Sequence, residues 1–227
     1  MPSNVLPLFF LALGSLALGL RGIMRYRSLK SPLIMYYSLA AILIGAAALV
    51  YSLPFTFFDD SRSLKIAITI GDVLYYVGIL MVVKIIWYLR LKQRKVPFLI
   101  VAVPVGLVAG FSFLIDLFYR QDQIYGVFNN VATYPTSPVA LSLLALLSSS
   151  IIICGFLTIT EGVKINDKRQ RWRLFSIGTM MLLGGIVAVN NFLFLQGTNN
   201  NTASLVGYAM VFWLFLSGLL FVRKSKH

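Results

Sequence analysis

Asp72 is a carboxylate set deep in an apolar run, Thr69-Ile70-Gly71-Asp72-Val73-Leu74-Tyr75-Tyr76. An ionisable side chain at membrane depth is costly, and it marks ligand, ion or proton chemistry by default. Asn190 and Asn191 stand in a second apolar run and Tyr208 in a third. Counted from the outer ends of their runs at about 1.5 Å per residue, Asp72 lies ~12 Å deep and the asparagine pair ~8 Å deep. The similar depths predict an outward-facing polar pocket in which Asp72, Asn190, Asn191 and Tyr208 bind a ligand. The competing expectation is that Asp72 bonds Asn190 or a tyrosine only to lock helix packing.

The other polar residues predict less chemistry. Asp116 reads as a shallower carboxylate near the interface, close to Arg120 and roughly two turns away from the depth of Asp72. Lys84 falls ~9 Å from the opposite end of its run, where a lysine stem snorkels to the headgroups beside Trp87 and Tyr88. Ser148, Ser149 and Ser150 are expected to bond to their own helix or a neighbour. Cys154 is the one cysteine and His227 the one histidine, so no disulfide framework, metal site, cofactor or serine–histidine pair is expected.

The elements that must carry these residues follow from charge. Sixteen of the twenty Lys and Arg fall in four clusters, at 21–30, 90–95, 164–173 and 223–226, at every second gap between apolar runs. Because short cytoplasmic loops retain Lys and Arg, this alternation predicts a polytopic all-α protein, N-terminus outside and C-terminus cytoplasmic. Seven transmembrane helices are expected, over residues 5–20, 32–53, 64–89, 97–118, 138–160, 174–196 and 204–222, in one domain spanning 1–227. Asn166 and Asp167 offer a cap that would start the sixth helix early, at Lys168. The first run is kept as a span and not a cleaved leader, because its basic residues follow the apolar stretch.

At 59% hydrophobic and 12% charged residues, the chain is too apolar for a water-soluble globule, and the lipid bilayer is its partner. The net charge of +13 sits at span ends, where it orients helices and meets anionic lipid, so nucleic-acid binding is not expected. Short loops suit a bacterial or archaeal inner membrane. Small residues, among them Ala41 with Gly45 and Gly106 with Gly110, predict close packing within the bundle, a homodimer being the other use of the Gly106–Gly110 spacing. The connector 119–137, with Tyr125, Phe128 and Tyr134, is either a lid over the pocket or a segment resting on lipid.

Two family resemblances bear on function. Gly71-Asp72 resembles half of the Gly-x-Gly-Asp motif of intramembrane aspartyl proteases, but Thr69 replaces the first glycine and Ile115 precedes Asp116 where presenilin-like members have tyrosine. An enzyme is not expected. The segment Asp167-Lys168-Arg169-Gln170-Arg171-Trp172-Arg173-Leu174, followed by Gly178 and Asn190-Asn191, resembles the seven-helix sensor regions that precede microbial histidine kinases. That resemblance implies a receptor-like or sensor-like protein, here without the kinase and passing its state to a separate cytoplasmic partner. Lys168, Arg169, Arg171 and Arg173 are the candidate docking surface. A small solute or ion transporter using the same pocket is the alternative.

Overall fold

The computed structural model describes residues 6–194 except 59, 129, 130, 134 and 135. The expected seventh span at 204–222, and Tyr208 with it, lies outside the described residues.

Helix α1 runs over Leu6–Leu29, nine residues past the expected end at residue 20. No proline or capping residue interrupts the stretch containing Arg21, Arg25 and Arg27, and helix propensity carries the chain through them. Lys30 ends it, at φ 46° with its N–H on the Tyr26 carbonyl at 2.7 Å. α2 (Pro32–Ser52) opens with proline at a position whose N–H has no helical partner in any case. A short turn, α3 (Pro54–Phe57), follows.

α4 (Ser61–Ile86) starts where the Asp60 carboxylate accepts the Ser63 N–H at 2.7 Å. It continues through a π-helical turn, Trp87–Leu91, and a 3-10 turn, Lys92–Arg94, ending at Lys95 with φ 56°. α5 (Phe98–Tyr119) passes into a 3-10 turn, Arg120–Asp122, and a small antiparallel hairpin of β1 (Gly126–Phe128) and β2 (Val131–Thr133). α6 (Pro138–Val163) and α7 (Lys168–Phe194) complete the described chain, α7 starting at the residue the Asn166-Asp167 cap predicts.

Four helical stretches among the described residues are long and apolar enough to cross a membrane: Pro32–Phe57, Ser61–Arg94, Phe98–Tyr119 and Pro138–Val163. Their surfaces fit lipid as solvent. On α5 the exposed residues Leu99, Val103, Leu107, Phe111, Leu114 and Phe118 form one continuous apolar face, which water would penalise and hydrocarbon does not.

α4 is the centre of the bundle, packed against α2, α5 and α6, while α1 lies on α2 and α7 on α6. Half of its most apolar stretch is buried, 50% against 11% for α5. Glycine sets the closest approach, between α6 and α7, where a Cβ on Gly155 would stand 2.7 Å from the Gly178 carbonyl oxygen. Among the described residues the expectation that Gly106 and Gly110 pack inside the bundle is not met: a Cβ at either would meet none of their atoms within 4 Å. α5 leans on its neighbours through Ala109, Ser112 and Asp116, which turns the two glycines outward to floor a shallow groove against Val73, Val77 and Leu80 of α4.

Candidate functional site

The inner stripe of α4, Leu64, Ile68, Asp72, Tyr75, Tyr76, Ile79 and Val83, repeats every three to four residues, and all of it is buried. Asp72 therefore points into the bundle, as its sequence context predicts. On α5 the inner stripe is Ser112 and Asp116, and the next residue at the same four-residue interval is Arg120, just past the helix end. All three are buried polar side chains in a helix otherwise clothed in lipid-facing apolar residues.

These stripes meet in one ion network. Arg120 Nη1 bonds Asp72 Oδ2 at 2.6 Å, and its Nη2 pairs with Asp116 Oδ2. The other oxygens are also engaged. The Tyr51 hydroxyl, from the last turn of α2, donates to Asp72 Oδ1 at 2.5 Å, and the Ser137 backbone N–H donates to Asp116 Oδ1 at 3.0 Å. Gly71 makes the first contact possible, since a Cβ there would stand 2.7 Å from Tyr51 Cε1. Asp72 thus ties α2, α4 and the end of α5 together.

Burial alone would lower the pKa of the Arg120 guanidinium, but Asp72 and Asp116 outweigh it and hold the group above its ordinary value. Arg120 is a permanent cation. Two carboxylates brought to one guanidinium repel each other, and the cation between them reverses the sign of that local balance. A shared-proton carboxylate dyad needs its two acids in direct contact; here the arginine stands between them.

A second layer closes the network toward the end of the bundle that carries the α2–α4 and α5–α6 connections. Phe55, Leu64, Ile68 and Tyr125 form a buried apolar cluster with Tyr51 against it. The connector is pinned across the first turns of α4: Lys65 Nζ donates to the Gln121 carbonyl at 3.1 Å, and the Tyr125 N–H donates to Ser61 Oγ at 3.1 Å. Burial pushes the Tyr125 phenol above its ordinary pKa against the pull of Arg120. At Tyr125 the connector is therefore buried against the first turns of α4, beside the ion network.

Deeper along α4, hydroxyls continue the polar line. Tyr76 donates to Ser112 at 2.9 Å, Ser112 donates to the Ala140 carbonyl at 3.2 Å, and the Tyr75 and Ser148 hydroxyls meet at 2.6 Å. Ser148, Ser149 and Ser150 each bond back to their own helix, as expected.

Placement of the other expected residues is mixed. Asp116 is not a shallow interfacial carboxylate: it is 2% exposed and joined to Asp72 through Arg120. The depth count assumed helices starting in one plane, whereas the first turns of α4 overshoot α5 and are flanked by the connector. Asn190 and Asn191 lie on α7, which packs chiefly on α6, and their side chains are outside the described residues. Lys84 Nζ lies 5.0 Å from the centre of the Tyr36 ring and 5.1 Å from that of Phe98, a cation held by aromatic faces near the end of its helix. Of the α6–α7 basic residues, Lys168 is exposed, while Arg171 closes the turn, its Nε on the Ile165 carbonyl at 3.0 Å and Nη2 on the Asn166 carbonyl at 3.4 Å.

Sequence reasoning missed Tyr51, Ser137 and the bridging role of Arg120. The available signal was the four-residue spacing of Ser112, Asp116 and Arg120, which puts all three on one helix face.

Helices of this length and apolarity define a lipid-embedded helical protein, and a buried carboxylate–guanidinium–carboxylate network is its most distinctive internal feature. No protein-family model, curated protein or solved structure matches the chain.

Proposed function

We propose that the protein is a receptor-like or sensor-like multi-pass membrane protein of seven spans, N-terminus outside and C-terminus cytoplasmic, in which the Asp72–Arg120–Asp116 network is the latch of the resting state. The observation that carries this reading is that one buried guanidinium joins α4 to the end of α5 while Tyr51 joins the same carboxylate to α2. Breaking a buried ion pair on one side is strongly unfavourable, so such a latch has discrete closed and open states and no soft intermediate. The alternation of basic clusters along the chain supports the orientation, which sets the Tyr125 cover at the external face.

The signal leaves through α4. Its far end carries Arg90, whose guanidinium contacts Glu161 Oε1 at 3.2 Å and Thr160 Oγ1 at 3.1 Å on α6. A stimulus that lifts the Tyr125 cover frees Arg120, lets α4 shift, and alters the Arg90–Glu161 contact beside the basic α6–α7 turn where a cytoplasmic partner docks. A ligand acts here only by binding the open and closed arrangements unequally.

Spin labels on Gln93→Cys and Val163→Cys, both exposed positions, measure that end of the bundle. Arg120→Gln is expected to change the distance between them by several ångströms relative to the wild-type background. An unchanged distance distribution in folded protein sinks the latch.

The second reading is a small solute or ion transporter, favoured by the presence of ion contacts at both ends of α4, a pair of gates that need not be open together. Counter-flow in proteoliposomes that depends on Asp72 would select it over signalling.

A further inference from the structure

The network carries an unbalanced charge. Asp72 and Asp116 bring two carboxylates to one guanidinium, and among the described residues the groups facing them from the neighbouring elements are neutral: Tyr51 from α2, Tyr76 on α4, Ser112 on α5, and the Ser137 N–H and Tyr125 of the connector. Lys65 turns its ammonium to the Gln121 carbonyl and the Tyr125 ring, 5.9 Å from the ring centre. An excess negative charge in a buried site is unfavourable, and binding one proton removes it.

Hydrogen-bond chemistry says where that proton fits. A protonated carboxyl needs an acceptor for its new O–H. Asp116 Oδ1 faces a backbone N–H, and both Oδ2 atoms face guanidinium nitrogens; all of these are donors only. Among the described residues, Asp72 Oδ1 alone of these oxygens faces a hydroxyl, Tyr51, which can turn from donor to acceptor. Arg120 also keeps a donor in reserve: its Nε is buried and has no acceptor among the described residues. That donor is free to re-aim once Asp72 is neutral.

We propose that Asp72 Oδ1, with Tyr51 as its partner, is a proton-binding site. Hydronium from solvent gives up a proton, its O–H bond breaking as one forms on Asp72 Oδ1 and water leaving, and the guanidinium is left ion-paired with Asp116 alone. Proton occupancy then sets the strength of the latch, so the inference rests on the network acting as one. The ligand of this site is the hydrogen ion.

The test uses the full-length protein in lipid bilayers, with aspartate carrying 13C at its carboxyl. Infrared difference spectra titrated between about pH 4 and 9 are expected to show one isotope-sensitive protonated-carboxyl band, lost in Asp72→Asn and moved to the frequency of a weaker hydrogen bond in Tyr51→Phe. If Asp72→Asn does not fold, the wild-type titration and Tyr51→Phe decide. No titrating aspartate band, or one unmoved in Tyr51→Phe and retained in Asp72→Asn, overturns the assignment. A midpoint that follows sodium when sodium replaces choline also overturns it, in favour of a metal cation. No titrating aspartate band in the wild type, with the Arg120→Gln distance change intact, rejects the proton and keeps the latch; a titrating Asp72 band with no Arg120→Gln distance change rejects the latch.

Discussion

Arg120 holds Asp72 at 2.6 Å from outside the helix that Asp72 belongs to, while its other nitrogen holds Asp116 four residues back along its own chain. One side chain therefore does two different jobs. The contact to Asp116 is local and follows from helical spacing, whereas the contact to Asp72 exists only because α4 and α5 are neighbours with a particular offset.

Removing the bridge leaves two buried, uncompensated carboxylates. Arg120→Met is expected to destabilise the protein by roughly 3 to 5 kcal/mol, read as a lower thermal unfolding midpoint in detergent. Neutralising the whole network with Asp72→Asn, Arg120→Met and Asp116→Asn should recover most of that loss. Arg120→Lys should recover little, because an ammonium cannot bond both carboxylates through separate planar arms.

Gly71 is where a single methyl group should disturb the network. Gly71→Ala puts a Cβ against the Tyr51 ring, and overpacking of this kind costs roughly 1 to 3 kcal/mol. Tyr51→Ala in the Gly71→Ala background should relieve the clash, so the two changes should be less than additive in a thermal-unfolding cycle. Additive losses would show that the ring does not pass over residue 71.

Tyr125 covers the charge cluster, and its removal should open that end locally. Tyr125→Ala is expected to cost roughly 3 to 5 kcal/mol, the range for truncating a buried aromatic. Hydrogen exchange should accelerate in the first turns of α4 and not in α6. Uniform acceleration would mean that Tyr125 is merely part of the general core.

The Arg90–Glu161 contact offers a contrast, since its side chains are 40% and 28% exposed. A double-mutant cycle there should give a coupling below ~1 kcal/mol, far less than at Arg120. A coupling as large as that of the buried network would remove the asymmetry between the two ends of α4.

Asp60 supplies a pH-dependent term. The Ser63 backbone N–H that it accepts as helix cap holds its pKa below the ordinary carboxylate value. A carboxylate whose pKa falls on folding stabilises above the unfolded value, and that contribution is lost as pH drops through the folded one. Asp60→Ala should therefore lower the unfolding midpoint at neutral pH, with the difference shrinking in acid below the usual aspartate range. A constant difference across pH would mean that the cap does not depend on the charge.

Much of the helical framework was legible from single residues. Pro32, Pro97 and Pro138 mark helix starts, and the Asn166-Asp167 pair announces α7 at Lys168, because these residues act through the backbone within one turn. α1 runs on past the span end expected at Leu20, because hydropathy stops there while nothing stops the helix until Lys30. Hydropathy reports the solvent around a helix and says little of where its hydrogen bonds end.

The candidate site divides the same way. That Asp72 is buried followed from its apolar surroundings, and that Asp116 and Arg120 share a face followed from their spacing, since both are properties of one helix. Which residues Asp72 meets was decided by the tertiary structure alone. The partner depends on how far α4 is shifted along its axis relative to α5, and that shift is set by contacts such as Tyr76 on Ser112 and Lys65 on Gln121, between residues remote in the chain. Helix periodicity has no term for the offset between two helices, and a displacement of a turn or two is enough to exchange one polar partner for another.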